Sequence, residues 1–359
     1  MAEAKSIEAL SLTFTAGALV GITVSGGQSW TAASALMLAA TPILLKKRLL
    51  EWPEQVSVPV ILLAFLLLGF CSSCLASLPH ASTPLLSAPW ILDAGERLKG
   101  LIARIPFPSE GSAPLLTALL TGDRSGLPRE TVSAFRESGA SHILALSGLH
   151  LGIIYVLFDR LSRVAGKSPL ARGLRFGAIV LAAGCFTLMT GASPSLVRAF
   201  LFIVINEVLR LTGRPRKASR VLCLALLVQL VLDPSAIRSV GFQLSYLAMA
   251  GIFLVYPVLE KWYPPSPSWD PFRRIWKAAA LSISCQLFTA PLAWLRFHSF
   301  PRYFLLTNLL ALPLTTALMT CAVLTVVLSA IGLCPGFLIQ ITDALCNGLQ
   351  RALEIIAGM

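Results

Sequence analysis

The most chemically suggestive residues of this sequence are a serine and a histidine that lie three positions apart in the apolar run SHILALSGLHLG. On a helix, Ser147 and His150 share one face. His142 lies about 80° around the axis from His150, so all three side chains can face one cavity. A serine beside a histidine is also the pair that nucleophilic catalysis uses. Side chains three apart on one helix point in parallel, however, and no acidic partner is visible to orient the histidine. We therefore expect His150 to make a functional or gating polar contact.

Two glycines accompany this pair. Gly148 and Gly152 form a GxxxG pattern within the same run. Small residues at this spacing allow the backbones of two membrane helices to approach closely. Close packing of a second helix is therefore the favoured interpretation of the glycines.

A second polar cluster, GASPSLVRA, contains a cation just inside an apolar stretch. Arg198 needs a partner or an aqueous cavity there, because a lone guanidinium is costly in hydrocarbon. Ser193, Pro194 and Ser195 have the composition of a helix start, whose free amides suit an anion such as a phosphate group. An equally favoured alternative is a simple helix cap, with Arg198 reaching the outer surface of the membrane.

Two further clusters place uncharged polar residues in predicted spans. Gln243 and Ser245 lie in GFQLSY, after a short apolar run that Asp233 and Pro234 interrupt. Short, interrupted spans are typical of transport sites. A later block contains Gln286, Pro291, His298, Asn308 and Pro313. Buried amides usually bond across helices, and proline is tolerated in the interior of a bundle, so this block is predicted to lie inside the bundle.

The composition defines the elements that must position these residues. Apolar residues make up 56% of the 359 positions and charged residues only 13%, whereas soluble domains carry about a quarter charged residues. A membrane-crossing helix needs roughly 20 apolar residues. Several charge-free stretches are long enough for one or two such helices: 9–45, 55–92, 141–158, 176–197, 239–259, 278–295 and 303–342. We predict an all-α fold, a polytopic transmembrane helix bundle of about 9–11 spans.

Neither a metal ion nor a cofactor is expected. All eight cysteines lie in apolar stretches. Cys71 and Cys74 form a CxxC inside a predicted helix, without the second pair or the histidine partner that a zinc site needs. We interpret them as small buried hydrophobic residues. The protein is accordingly predicted not to be an enzyme and to have no catalytic or metal-ligating residue.

The distribution of Lys and Arg predicts the orientation in the membrane. Five basic residues lie between Arg160 and Arg175 and five between Arg210 and Arg220, whereas the opposing turns are nearly bare. Because basic loops stay in the cytoplasm, we predict a multi-pass protein of a bacterial inner membrane with a cytoplasmic N-terminus. The same rule accounts for the net charge of +12, which in a soluble protein would indicate binding to nucleic acid.

Three regions follow from this topology. Residues 1–78 are predicted to form N-terminal transmembrane helices, 79–140 an outer-face segment, and 141–359 a transmembrane channel domain. The outer-face segment is not expected to be a folded domain of its own.

Two amphipathic pieces, Trp90–Ile105 and Pro128–Ser138, are predicted to be helices within the outer-face segment, the second one ending at Gly139. They suit helices that lie in the membrane interface, and packing against the top of the bundle is an equal alternative. Arginines on this face are the expected contacts for an incoming polyanion: Arg124, Arg129 and Arg136.

The four clusters, taken in order, resemble a known family. HILALSGLHLG is similar to the signature of the ComEC competence domain, and LLTGDRSGLP is similar to the stretch that precedes it. GASPSLVRA, GFQLSYLA and the run from QLFTAPL to NLLALPL resemble the later motifs, so that the resemblance covers about 115–314. It implies an inner-membrane channel that imports single-stranded DNA during natural transformation. The channel residues would be His142, Ser147, Gly148, His150, Ser195, Arg198, Gln243, Ser245, Gln286 and Asn308.

The resemblance also implies partners and shows two departures. The partners are an outer DNA receptor or pilus apparatus and a cytoplasmic helicase-like ATPase. Members of the family commonly carry an outer OB-type domain, but the interval 79–112 shows no strand pattern. Many also end in a metallo-β-lactamase-like domain, but no HxHxDH run is present. A separate nuclease would then remove the second strand.

Two alternatives remain open at this point. A small-solute or lipid transporter would share the helix bundle but carry a different cargo. An intramembrane hydrolase would use Ser147 as its nucleophile and His150 as its base.

Overall fold

A computed structural model of the protein describes residues 9–18, 20, 63, 66–70, 89–162, 166, 168–264, 270–298 and 302–359. Within these residues the regular structure is helical and no β-strand occurs, which confirms the predicted all-α class. The α-helices are α1 (Ala9–Ala18), α2 (Pro89–Ala103), α3 (Ser112–Thr121), α4 (Arg129–Glu137), α5 (Ser141–Leu144), α6 (Gly148–Ser162), α7 (Pro169–Met189), α8 (Pro194–Leu211), α9 (Ala218–Leu232), α10 (Val240–Leu254), α11 (Tyr256–Glu260), α12 (Pro271–Phe297), α13 (Phe304–Ala330) and α14 (Gly336–Ala357).

Four helical segments in the described part of the chain are long and apolar enough to cross a membrane. They are Leu170–Met189, Val240–Glu260, Pro271–Phe297 and Phe304–Ala330. The protein is therefore a membrane protein, as the composition predicts. A second helix expected near Trp30–Leu45, together with Cys71 and Cys74, lies outside the described residues, so the total of 9–11 spans stays a prediction.

The described residues pack as two compact units. One contains described residues up to Leu85 together with Val197–Gln243, and the other contains Leu86–Leu196 and Leu244–Met359. These units report packing, and the functional boundaries expected at 78 and 140 stay predictions. In the first unit, α9 ends at Leu232 and Asp233 caps a 3₁₀ turn, Pro234–Arg238, by accepting a hydrogen bond from the Ser235 N–H at 3.0 Å. The interruption predicted at this point is confirmed.

The core of the second unit unites the outer-face segment with the last two helices. Leu115, Leu116 and Leu119 of α3 are completely buried in one apolar cluster with Leu318 of α13 and Leu349 of α14. The apolar face of α2 joins this core, since Ile102 is also fully buried. The amphipathic helix α2 therefore packs against the bundle, which is one of the two arrangements expected.

The ends of the outer helices follow from local sequence. The sequence predicts that this helix begins at Pro128, but α4 begins one residue later, at Arg129, and Pro128 is its N-cap. The missing N–H of Pro128 costs no helical hydrogen bond at that position. After α4, Gly139 has φ 83°, a left-handed conformation that glycine adopts without strain. The predicted stop at Gly139 is confirmed. This turn leads directly into α5 and the signature run.

Candidate functional site

The signature run forms a broken helix. The sequence predicts one helix from Ser141 onward, but α5 ends at Leu144, Ala145 is extended with ψ 126°, and α6 begins only at Gly148. The expectation of a continuous helix is wrong. No proline lies in the run, so the break depends on contacts that replace the lost helical hydrogen bonds.

Ser147 and His150 supply these contacts on the α6 side. The Ser147 Oγ lies 3.0 Å from the His150 Nδ1 and accepts a hydrogen bond from the Leu149 N–H at 3.3 Å. Because Ser147 precedes α6 rather than lying on it, its side chain turns toward the imidazole. The expectation that the two side chains point in parallel is therefore wrong. The pair caps the first turn of α6.

Hydrogen bonding at this cap assigns the tautomer of His150. The Ser147 backbone N–H donates to the His150 Nδ1 at 3.3 Å, and a backbone N–H can only donate. The neutral ring therefore carries its proton on Nε2. His150 is 1% exposed, and its Nε2 has no hydrogen-bond partner among the described residues. Among the described residues, no carboxylate bonds to Nε2 to orient the ring as in a catalytic triad.

Two buried polar atoms of α13 also lack a hydrogen-bond partner among the described residues. They are the Asn308 Oδ1 and the Thr315 Oγ1. Helix α13 packs against α6, and Ala311, one turn from each residue, shares an apolar cluster with Ile153 of α6. The α6–α13 contact therefore combines close packing with unsatisfied hydrogen-bonding capacity.

The remaining residues of the signature differ from expectation in part. His142 is exposed, and its Nδ1 lies 3.2 Å from the Gly139 carbonyl oxygen, so a cavity shared with buried His150 stays a prediction. Gly148 begins α6. A Cβ placed on Gly152 would meet no atom of the described residues within 4 Å, so within them the close helix contact expected at Gly152 is not found. Close approach is found at other glycines, for example Gly251, where a Cβ would collide with the Ser284 carbonyl oxygen.

The second cluster begins with a turn in which Gly191 has φ 81° and Ala192 has φ 47°. Helix α8 then starts at Pro194, as the sequence predicts. The Ser195 Oγ lies 3.2 Å from the Ser245 Oγ of α10, which brings together two of the expected channel residues. Arg198 is half-buried in α8 and has interaction partners of its own.

The amide of Gln243 makes a local structural contact. Gln243 donates from Nε2 to the Ile237 carbonyl oxygen at 2.8 Å, which ties the start of α10 to the preceding 3₁₀ turn. Gln286 is half-buried on α12. Both α12 and α13 continue through internal prolines, Pro291 and Pro313, as expected for bundle helices.

The outer arginines fall into two classes. Arg129 and Arg136 are exposed on α4. Arg124 is exposed as well, but it donates from Nη2 to the Leu144 carbonyl oxygen at 2.9 Å, at the end of α5. Its neighbour Asp123 pairs with Lys99 at 2.6 Å. The hydrogen bond from Lys99, followed by those from Ser125, holds the pKa of the Asp123 carboxyl well below its usual range.

Sequence reasoning missed a buried polar cluster on α14. The Asp343 carboxylate, 6% exposed, accepts hydrogen bonds from the Ser109 N–H at 3.1 Å, the Ser109 Oγ at 2.8 Å and the Ser112 Oγ at 2.6 Å. Asn347 donates to the same carboxylate at 3.2 Å. The available signal was an acidic residue on the apolar face of an amphipathic helix. No group of three His, Cys, Asp or Glu side chains that could hold a metal ion occurs in the described part of the chain.

Comparison with known proteins gives a consistent family. The family model described as Competence protein matches residues 119–359. Among curated relatives, the chain is 27% identical to Recombination protein 2 of Haemophilus influenzae over 68% of this chain and 32% of the relative. It is 25% identical to ComE operon protein 3 of Bacillus subtilis over 57% of this chain and 25% of that protein. It is 34% identical to Competence protein ComA of Neisseria gonorrhoeae over 38% of this chain and 20% of that protein.

The chain spans about a quarter to a third of the length of the first curated relatives it matches. No solved structure gives a significant match. The family model nevertheless covers more than half of the chain and includes the whole broken helix with Ser147 and His150. On this coverage, the protein belongs to the Competence protein family.

Proposed function

We propose that this protein is an inner-membrane channel that imports single-stranded DNA during natural transformation, and that it acts as a transport protein rather than an enzyme. The observation that carries the proposal is the family match over residues 119–359. The printed names of two relatives, Competence protein ComA and ComE operon protein 3, support it. These relatives are several times longer than the matched region. DNA import by this chain is therefore a proposal.

As part of this proposal we place the α5–α6 break inside the membrane, where it would offer polar groups to a passing strand. Backbone polar groups are tolerated in the membrane only where protein or water satisfies them, and broken helices mark transport sites in other membrane proteins. Ser147 lies in the α5–α6 break, and buried His150 lies in the first turn of α6 beside it. We propose that the strand passes beside the break and contacts polar residues of the later clusters: Ser195, Arg198, Gln243, Ser245, Gln286 and Asn308.

The exposed basic residues support the proposed cargo. Arg129 and Arg136 lie on the surface of α4. A strand of DNA carries one negative charge per nucleotide, and its contacts with arginine weaken steeply as salt rises. We propose that these arginines collect the strand on the outer face of the membrane, with the N-terminus in the cytoplasm.

Other proteins complete the proposed system. An outer DNA receptor or pilus apparatus would deliver the DNA, and a cytoplasmic helicase-like ATPase would draw in the strand. A separate nuclease would degrade the complementary strand. The lipid bilayer is the remaining partner, contacted by the exposed apolar residues of the spanning helices, such as Leu181 and Leu295.

The proposal is tested by complementing a deletion strain and measuring uptake of labelled DNA into the cytoplasm. The His150→Ala and Arg198→Ala variants are expected to lose uptake while their levels in the membrane stay normal. Arg351→Ala, which removes an exposed arginine from α14, is the matched control and should retain uptake. Normal uptake by both site variants would contradict the assignment of these residues to the channel.

An intramembrane serine hydrolase is the second candidate, because the Ser147 Oγ lies 3.0 Å from the His150 Nδ1. The geometry favours it only in part. Nδ1 also receives the Ser147 N–H, and no partner orients Nε2 within the described residues. A fluorophosphonate probe decides between the candidates: labelling of the purified protein that disappears in Ser147→Ala would support the hydrolase, and no labelling would remove it.

A further inference from the structure

The loop between α3 and α4 contacts the broken helix at the break between α5 and α6. This segment, residues 122–127, is called the 122–127 loop. Its Arg124 donates from Nη2 to the Leu144 carbonyl oxygen at 2.9 Å. Leu144 is the last residue of α5, and carbonyl groups at the end of a helix lack a partner within the helix. Arg124 therefore satisfies a backbone group that the break exposes.

A second contact joins the same loop to the break itself. Gly122 has φ 81°, and a Cβ placed on it would lie 2.6 Å from the Leu146 Cδ1. Leu146 is one of the three residues between α5 and α6. The leucine fills the space that any side chain at position 122 would occupy. The 122–127 loop thus holds the break both by a hydrogen bond and by close packing.

The loop is itself fixed on both sides of Arg124. Asp123 pairs with Lys99 of α2 at 2.6 Å and accepts the Ser125 N–H at 3.0 Å. Leu127 belongs to the apolar core of the second unit. Since Asp123 and Leu127 anchor the loop on the two sides of Arg124, the Arg124 side chain reaches Leu144 from a defined position.

We propose that Arg124 is a positioning residue, which holds the α5–α6 break in the shape that transport requires by capping Leu144 from the outer face. This inference rests on the proposed function. It gives Arg124 a role different from that of Arg129 and Arg136, which carry the same charge on the exposed surface of α4. A phosphate contact would make the three arginines equivalent, whereas a positioning role makes Arg124 distinct.

The shape of the break is measured without DNA. All eight native cysteines are replaced by alanine, and Leu144→Cys introduces a reporter at a site that is 2% exposed. Arg124→Ala should raise the rate of N-ethylmaleimide labelling about tenfold or more, as expected for loss of a hydrogen bond from a charged donor. Arg124→Lys, which keeps a donor of similar reach, should restore most of the protection. Arg129→Ala and Arg136→Ala should label at the parent rate.

Uptake of labelled DNA is then compared in the same arginine variants in the native-cysteine protein. A selective loss in Arg124→Ala that does not depend on salt, together with faster labelling, supports the proposal. Parent-like labelling of Arg124→Ala, or faster labelling with unchanged uptake, would overturn it. Equal, salt-dependent losses in all three alanine variants would also overturn it. If the wild-type gene itself fails to restore uptake to a deletion strain, the proposed function fails, and the labelling rates still decide whether Arg124 holds the break.

A second pair of variants keeps the proposal testable if Arg124→Ala does not accumulate in the membrane. Gly122→Ala should displace Leu146 and raise the labelling of the reporter at position 144. Adding Leu146→Ala removes the collision and should lower the labelling rate again. An equal rate in the single and double variants would overturn the inferred contact between the 122–127 loop and the break.

Discussion

Replacement of Asp343 by alanine should favour local opening of the contact between α14 and the start of α3. The carboxylate accepts four hydrogen bonds, two from Ser109 and one each from Ser112 and Asn347. After the change, Asn347 keeps its bond to the Ser109 Oγ at 2.8 Å, but the completely buried Ser112 hydroxyl loses its acceptor. A hydrogen bond to a charged acceptor contributes about 1.5–3 kcal/mol, and a buried donor left unpaired costs about 1–3 kcal/mol.

These contributions overlap, so we expect a loss of about 3 kcal/mol in the local opening free energy, or roughly a hundredfold in the opening equilibrium. Cys346 lies on the same helix and is 0% exposed, so its labelling requires local opening. In a variant that keeps Cys346 as its single cysteine, the rate of maleimide labelling in detergent should rise by that factor. Local opening of this kind governs the reactivity of buried groups.

Two further variants calibrate the measurement. Asp343→Asn keeps one oxygen acceptor and should raise the rate roughly tenfold, because about half of the hydrogen bonding remains. Glu354→Ala removes an exposed carboxylate from the same helix and should leave the rate unchanged. If Asp343→Ala labels within about twofold of its parent, the range of an ordinary surface substitution, the cluster does not hold α14 in place and the reasoning is refuted.

Three other predictions concern stability measured by thermal unfolding in detergent. The pKa of Asp123 is lowered, first of all by the hydrogen bond from Lys99. The ionised carboxylate therefore stabilises the fold above about pH 4, and this stabilisation is lost as pH falls through the folded-state pKa. The difference in melting temperature between wild type and Asp123→Asn should accordingly shrink below about pH 4. Gly251→Ala should destabilise the protein by about 1–3 kcal/mol through its collision with a neighbouring backbone, whereas Gly100→Ala, with free space around it, should be neutral or stabilising; equal effects would contradict the packing. Thr307→Val removes a buried hydrogen bond of 2.6 Å and should cost about 1–3 kcal/mol, and an unchanged melting temperature would speak against that bond.

Sequence reasoning succeeds here where a local property decides the structure. Low charge and long apolar stretches predict the helices, and four spans are found in the described residues. Gly139 and Asp233 act as predicted because glycine ends α4 and aspartate caps a turn within a few residues of their own positions. Prolines inside α12 and α13 are tolerated as the general behaviour of membrane bundles indicates.

The site was predicted less completely, because its geometry depends on residues distant in sequence. The sequence identifies the types of the residues. The contact between Ser147 and His150, however, depends on a helix break that no proline in the run predicts. Arg124, twenty positions away from Leu144, supports that break through a backbone carbonyl, which no side-chain pattern reveals. Gly251 likewise resembles any other glycine in an apolar stretch until the neighbouring helix is placed.

The Asp343 cluster has a consequence for biosynthesis. Ser109 and Asp343 are separated by 234 positions, so Ser109 and α3 are synthesised long before the carboxylate that accepts hydrogen bonds from Ser109 and Ser112 exists. During that interval the leucines of α3 lack their contacts with α14. A ribosome that stalls ahead of α14 would leave an intermediate with this apolar surface uncovered. The buried core of the second unit can therefore be completed only after α14 has been synthesised.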